Sequence, residues 1–166
     1  KIEVAERKLD SWEQRIPSDE EKPVDHQFFA RDDKNYGTVY YRGMLEESAD
    51  SVFLKLYAGD ELIDTQMQKI GADEKYALST KLKSGLVAYR TEFGVRHGGT
   101  ESVLDKANDL VCGDVFVIQG QSNAEAWTDD KVVHPYRSQW LRSFGTPTTN
   151  QSRARDAVWG NALSFN

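Results

Sequence analysis

From residue 24 to residue 94 the chain alternates apolar and polar residues with a period of two, and few folds are compatible with that pattern. Val52, Leu54 and Leu56 alternate with Phe53, Lys55 and Tyr57, and Thr38 to Leu45 is rich in β-branched and aromatic residues. Successive side chains of a strand point to opposite faces, so each such stretch has one face to bury. Turn-forming clusters separate the stretches: Asp32 to Gly37, Gly59-Asp60 and Lys83-Ser84-Gly85. Strands are expected at 26–31, 38–45, 51–57, 61–69, 75–82 and 86–93. Two packed antiparallel sheets bury the apolar faces of such strands most economically.

The flanks differ in texture. In residues 1–17, Ala5, Leu9, Trp12 and Ile16 form an apolar stripe at helical spacing, and Pro17-Ser18-Asp19 stops it. Residues 1–22 are therefore expected to be an amphipathic helix and a linker, and residues 23–100 the β unit. The "HGGTES" stretch, residues 97–102, reads as a loop that closes this unit. Val103 to Val111 is a mixed segment, Val115 to Ile118 is a continuous apolar run, and the tail from Thr128 shows no clear strand.

Composition narrows the partners. The net charge of -6 favours neither a phosphate backbone nor an anionic membrane surface, so nucleic acid and membrane are not expected as partners. No apolar run approaches the ~18 residues of a membrane helix, and "KIEVAERKLD" contains no signal-peptide core, which leaves the compartment undetermined. The single cysteine, Cys112, forms no internal disulfide and reads as a buried free thiol.

Chemistry is suggested by "CGDVFVIQGQSNAEAW", residues 112–127. A four-residue apolar run fits a strand buried on both faces of a parallel sheet. A glycine just beyond it lets the chain turn sharply at the carboxyl edge, where open α/β sheets bind ligands. A serine in that turn presents its hydroxyl, and free N–H groups at the start of a following helix can hold an oxyanion. Gly and Ser also occur in such turns merely as caps, so geometry alone leaves both readings open.

The residues themselves go further. Gly113-Asp114-Val115 followed by Gly120-Gln121-Ser122-Asn123 resembles, in order and spacing, the first sequence block of the SGNH (GDSL-like) hydrolase superfamily. The similarity is greatest to the branch related to sialate O-acetylesterases, with Phe116 in place of a Trp and Ala124 in place of a Met. The resemblance covers about a dozen residues and implies a carbohydrate O-acetylesterase acting on O-acetylated carbohydrate, with no cofactor and no metal. It implies Ser122 as nucleophile and backbone oxyanion donor, supported by Gly120, Gln121 and Asn123, which pin the turn. It also implies a fold that is mainly β, an immunoglobulin-like antiparallel sandwich followed in 101–166 by the first strand and turn of an incomplete α/β hydrolase unit.

The same resemblance calls for a histidine base with an aspartate three residues before it. The residues three before His26, His97 and His134 are Pro23, Gly94 and Lys131, so none supplies the pair. The stretch after Ser122 is also short of the several βα units, each about 30 residues or more, of such a domain. The catalytic Asp and His are expected outside this chain, which alone is expected to be inactive; the missing C-terminal part of the catalytic domain is then a partner. The alternative is a carbohydrate-binding or interaction module without catalysis, in which Trp127, Tyr136 and Trp140 offer stacking faces for sugar rings and Trp159 fills a core.

Overall fold

The computed structural model describes residues 15–117, 138–145 and 158–161, and these are mainly β, with no helix among them. Nine strands follow in chain order: β1 (Phe28–Ala30), β2 (Tyr36–Met44), β3 (Ser51–Ala58), β4 (Glu61–Lys69), β5 (Lys75–Lys83), β6 (Gly85–His97), β7 (Thr100–Gly113), β8 (Arg142–Gly145) and β9 (Val158–Asn161). The first six stand where the alternation placed them. The stripe expected to be helical over 1–17 falls outside the described residues except for Arg15, Ile16 and Pro17, which are not helical.

Strands β1-β7-β6-β3-β4 make a five-stranded sheet, β2 and β5 a two-stranded sheet, and β8 and β9 a separate hairpin pair. β2 and β5 pair antiparallel from Tyr36↔Lys83 to Met44↔Lys75. Alternation then decides what each strand buries: Val39, Tyr41, Leu78 and Leu82 face inward, and Lys75, Lys81 and Lys83 face water. Across from them lie Val52, Leu54 and Leu56 of β3, Tyr89, Phe93 and Val95 of β6, and Ala107 and Leu110 of β7, in one shared core. β3 lies between β6 and β4 and is buried over most of its length, as its near-continuous apolar sequence requires.

Aromatic rings join the two sheets. Tyr41 of β2 stacks on Phe93 of β6 with centroids 5.0 Å apart, and Tyr76 of β5 lies on the same Phe93 at 4.7 Å. The buried Tyr41 hydroxyl is 3.2 Å from the Thr91 hydroxyl and donates to Asp105 at 3.0 Å, so the polar end of the ring is satisfied inside the core. Burial pushes the Tyr41 phenol far above its ordinary pKa. On the β4 side, Gln68 accepts from the Ala77 N–H at 2.8 Å and donates to the Lys75 carbonyl at 3.2 Å. Its amide thereby satisfies the edge of β5 that β2 leaves open, and Thr80 adds a bond to Asp64 at 2.6 Å.

Three features depart from the sequence reading. The sheet continues past the boundary expected at residue 100: β7 pairs with β6 from His97↔Thr100 onward, so "HGGTES" is a hairpin turn with Gly98 and Gly99 at positive φ. The β6–β7 register shifts three times, and the one-residue shifts at Tyr89/Thr91 and Phe93/Gly94 flip the inward-facing phase, which is why Val103 to Val111 shows no clean alternation. The sheets are not wholly antiparallel, because β1 runs parallel to β7 with Phe28↔Val111, Phe29↔Cys112 and Ala30↔Gly113. In the tail, where no strand was expected, β8 and β9 pair antiparallel.

Gly94 marks a close approach on the outer face of β6. A Cβ there would lie 2.2 Å from the Ser102 carbonyl oxygen and 2.6 Å from the buried Phe53 ring. Gly94→Ala is expected to lower unfolding free energy by roughly 2 kcal/mol or more through overpacking, read as a lower urea midpoint at unchanged slope. A midpoint equal to the parent's would contradict this packing.

Candidate functional site

β7 leads to the sequence block that contains the serine, and both of its edges are held. Its antiparallel pairing with β6 reaches Gly85↔Cys112, and its parallel pairing with β1 ends at Ala30↔Gly113. The Arg31 N–H then donates to the Gly113 carbonyl at 2.9 Å. The Arg31 guanidinium reaches Asp114 at 2.7 Å through Nε and Asn35 Oδ1 at 3.1 Å through Nη1. Asp114 is largely exposed, so the pair contributes little stability, on the order of 0.2–1 kcal/mol, but it fixes the direction in which the chain leaves the sheet.

Beyond Asp114 the structure corrects the expected buried strand at Val115 to Ile118. Asp114 to Val117 form no strand, and Val115, Phe116 and Val117 are 50%, 84% and 89% exposed. The physical reason is that both edge pairings of β7 stop by Gly113, and an apolar run is buried as a strand only with neighbours on its edges and layers on its faces. No described residue supplies either. Ile118, Gly120, Gln121, Ser122 and Asn123 lie outside the described residues, as do Trp127, His134 and Tyr136. Trp140 is half-buried in a turn before β8, and its backbone N–H donates to the Ser138 hydroxyl at 3.2 Å.

Cys112 is buried and free, as read from the sequence. Burial pushes its thiol pKa up, with a backbone N–H from Gly37 pulling the other way. His97 closes the β6–β7 hairpin at an exposed position. His26 has an acidic neighbour that a spacing rule could not find: its Nδ1 lies 3.5 Å from Asp109, far along the chain, and both residues have positive φ. Beside them, Asp25 accepts from the Asn108 N–H at 2.7 Å and the His26 N–H donates to the Asn108 carbonyl at 2.9 Å. These contacts clasp the segment before β1 to the irregular middle of β7. Among the described residues no group of three or more His, Cys, Asp or Glu is arranged to hold a metal ion.

A cavity of about 740 Å³ opens where residues 20–23 cross the end of β2. Two backbone bonds hold the crossing, Glu21 N–H to the Arg42 carbonyl at 2.9 Å and Arg42 N–H to the Glu21 carbonyl at 2.8 Å. Glu20, Gln27, Phe29, Met44, Glu46 and Tyr76 are among its lining residues. Sequence reading missed it because these residues come from separate segments and carry no local motif.

No protein-family model matches the sequence, and neither the curated proteins nor the solved structures include a match.

Because Cys112 is both covered and raised in pKa, it should react with an aromatic disulfide reagent at pH 8 roughly a hundredfold or more slowly in the native chain than in urea. Equal rates would mean that the β1–β7 edge does not cover it.

Proposed function

We propose that this chain carries the nucleophile block of a serine carbohydrate O-acetylesterase, set directly behind an accessory immunoglobulin-like β-sandwich. The observation that carries the reading is a coincidence of position. The β unit ends at Gly113, and Gly113 is the first residue of the Gly-Asp-Val … Gly-Gln-Ser-Asn pattern. A unit whose last strand is fixed by Arg31 to Gly113 and Asp114 gives the following segment a defined starting point.

In this reading the Ser122 oxygen attacks the ester carbonyl carbon while a base takes its proton. Negative charge on the former carbonyl oxygen is held by the Ser122 backbone N–H and further donors. Collapse of the tetrahedral intermediate expels the sugar hydroxyl, reprotonated by the same base, and leaves an acetyl ester on Ser122. Water repeats the sequence and releases acetate. Gly120, Gln121 and Asn123 shape the turn. This reading takes the base from outside residues 1–166, since the Asp-x-x-His spacing that the resemblance calls for occurs at none of His26, His97 and His134.

Turnover of a chromogenic acetyl ester tests this. In the protein expressed from its full reading frame, Ser122→Ala should remove nearly all activity while the far-UV circular dichroism is unchanged. Residues 1–166 alone should show no Ser122-dependent turnover, since a positioned base contributes roughly 100- to 10,000-fold. Full-frame activity that survives Ser122→Ala would remove the esterase assignment at this residue. Ser122-dependent turnover by residues 1–166 would instead place the base inside them.

A further inference from the structure

The geometry points to the cavity beneath residues 20–23 as a binding subsite for a non-acidic sugar unit, with preference for one that carries an amine. The inference deepens the carbohydrate reading above and rests on it for the class of ligand; the charge preference comes from the cavity alone.

The ion pairs of the cavity wall decide which charges are left for a ligand. Glu21 is in contact with Arg15, and its Oε2 lies 4.0 Å from Arg42 Nε. Lys22 reaches across to Asp105 of β7 at 3.5 Å. Glu21 thus serves two arginines, and with Asp105, Glu20 and Glu46 counted four carboxylates face the three cations Arg15, Lys22 and Arg42. Glu20 and Glu46 are exposed, line the cavity and make no ion pair among the described residues. The charge that remains is negative, so a carboxylate-bearing sugar is repelled and an ammonium is attracted.

The other polar groups agree. The Gln27 carbonyl oxygen already accepts from the Val24 N–H at 3.0 Å, which leaves its amide N–H₂ as the free end. Tyr76 is half-buried, and Glu20 is near enough to add to the upward push that burial gives its phenol pKa. Its hydroxyl reaches this side of the sheet because Gly43 has no side chain: a Cβ on Gly43 would lie 2.7 Å from it. Glu20 and Glu46 offer four acceptor oxygens against the three donor hydrogens of the Gln27 amide and the Tyr76 hydroxyl, so the matching ligand is rich in hydroxyl or ammonium donors. Phe29, Pro23 and Met44 add apolar surface for the C–H face of a ring. The Tyr40 ring is not such a face, because the Arg15 guanidinium lies over it at 3.6 Å. The volume falls within the range of small-molecule sites and exceeds what one lysine side chain fills.

Calorimetric titration of residues 1–166 with four probes tests the subsite: a glucosamine trimer, an N-acetylglucosamine trimer, trigalacturonate and a lysine tripeptide. The glucosamine trimer should bind more tightly than its N-acetylated counterpart, and trigalacturonate should not bind. Glu20→Gln and Tyr76→Phe should each weaken glucosamine binding about tenfold. Glu20 is exposed, so its substitution leaves the fold intact. Failure of both glucosamine trimers to bind overturns the proposal, as does trigalacturonate binding equally well. Binding indifferent to both substitutions, or a lysine tripeptide binding more tightly than the glucosamine trimer, does the same. Binding without esterase activity in the full-frame protein would sink the esterase reading and leave the subsite; activity without binding would do the reverse.

Discussion

The parallel pairing of β1 with β7 is the contact on which both the sheet and the proposed site depend. β6 alone cannot hold β7 straight, because their register shifts three times along its length. β1 contributes only three paired residues, yet they cover the last turn of the strand, Val111 to Gly113, where Cys112 enters the core. Parallel strands cannot be joined by a tight turn, so the chain reaches β7 only after five intervening strands. The clasp of Asp25 and His26 on Asn108 and Asp109 sits at one end of this contact and the Arg31–Asp114 pair at the other. Together they turn an irregular edge into a fixed exit.

The core was legible in the sequence wherever burial follows a period of two. β2 and β5 read cleanly because each buries one face against a single opposing sheet, as Val39 and Tyr41 or Leu78 and Leu82 show. β7 was not legible. Its bulges move the buried set from one parity to the other, so Ala107, Leu110, Val111 and Cys112 are buried without alternating, and "HGGTES" was mistaken for a boundary. The run Val115 to Val117 failed for the opposite reason. Its composition matches a buried strand, but burial is supplied by neighbours, and composition does not encode them. Ser122 and its flanking residues were legible only through their resemblance to a known block, and residue spacing could not bring His26 to Asp109 or gather the cavity.

The two proposed roles use different ends of the same unit. The exit at Gly113 is built from the β1–β7 edge, and the cavity from the crossing of residues 20–23 over β2. The Lys22–Asp105 pair connects them, since it joins the cavity wall to β7.

Hydrogen–deuterium exchange resolved along residues 100–117 tests most directly that the β unit ends at Gly113, where the serine block begins. The expected result is slow exchange across Ala107 to Gly113 and an abrupt rise to near-unprotected rates at Val115, Phe116 and Val117. Protection running unbroken from Cys112 through Val117 would contradict it, because those residues would then continue β7 as a paired strand.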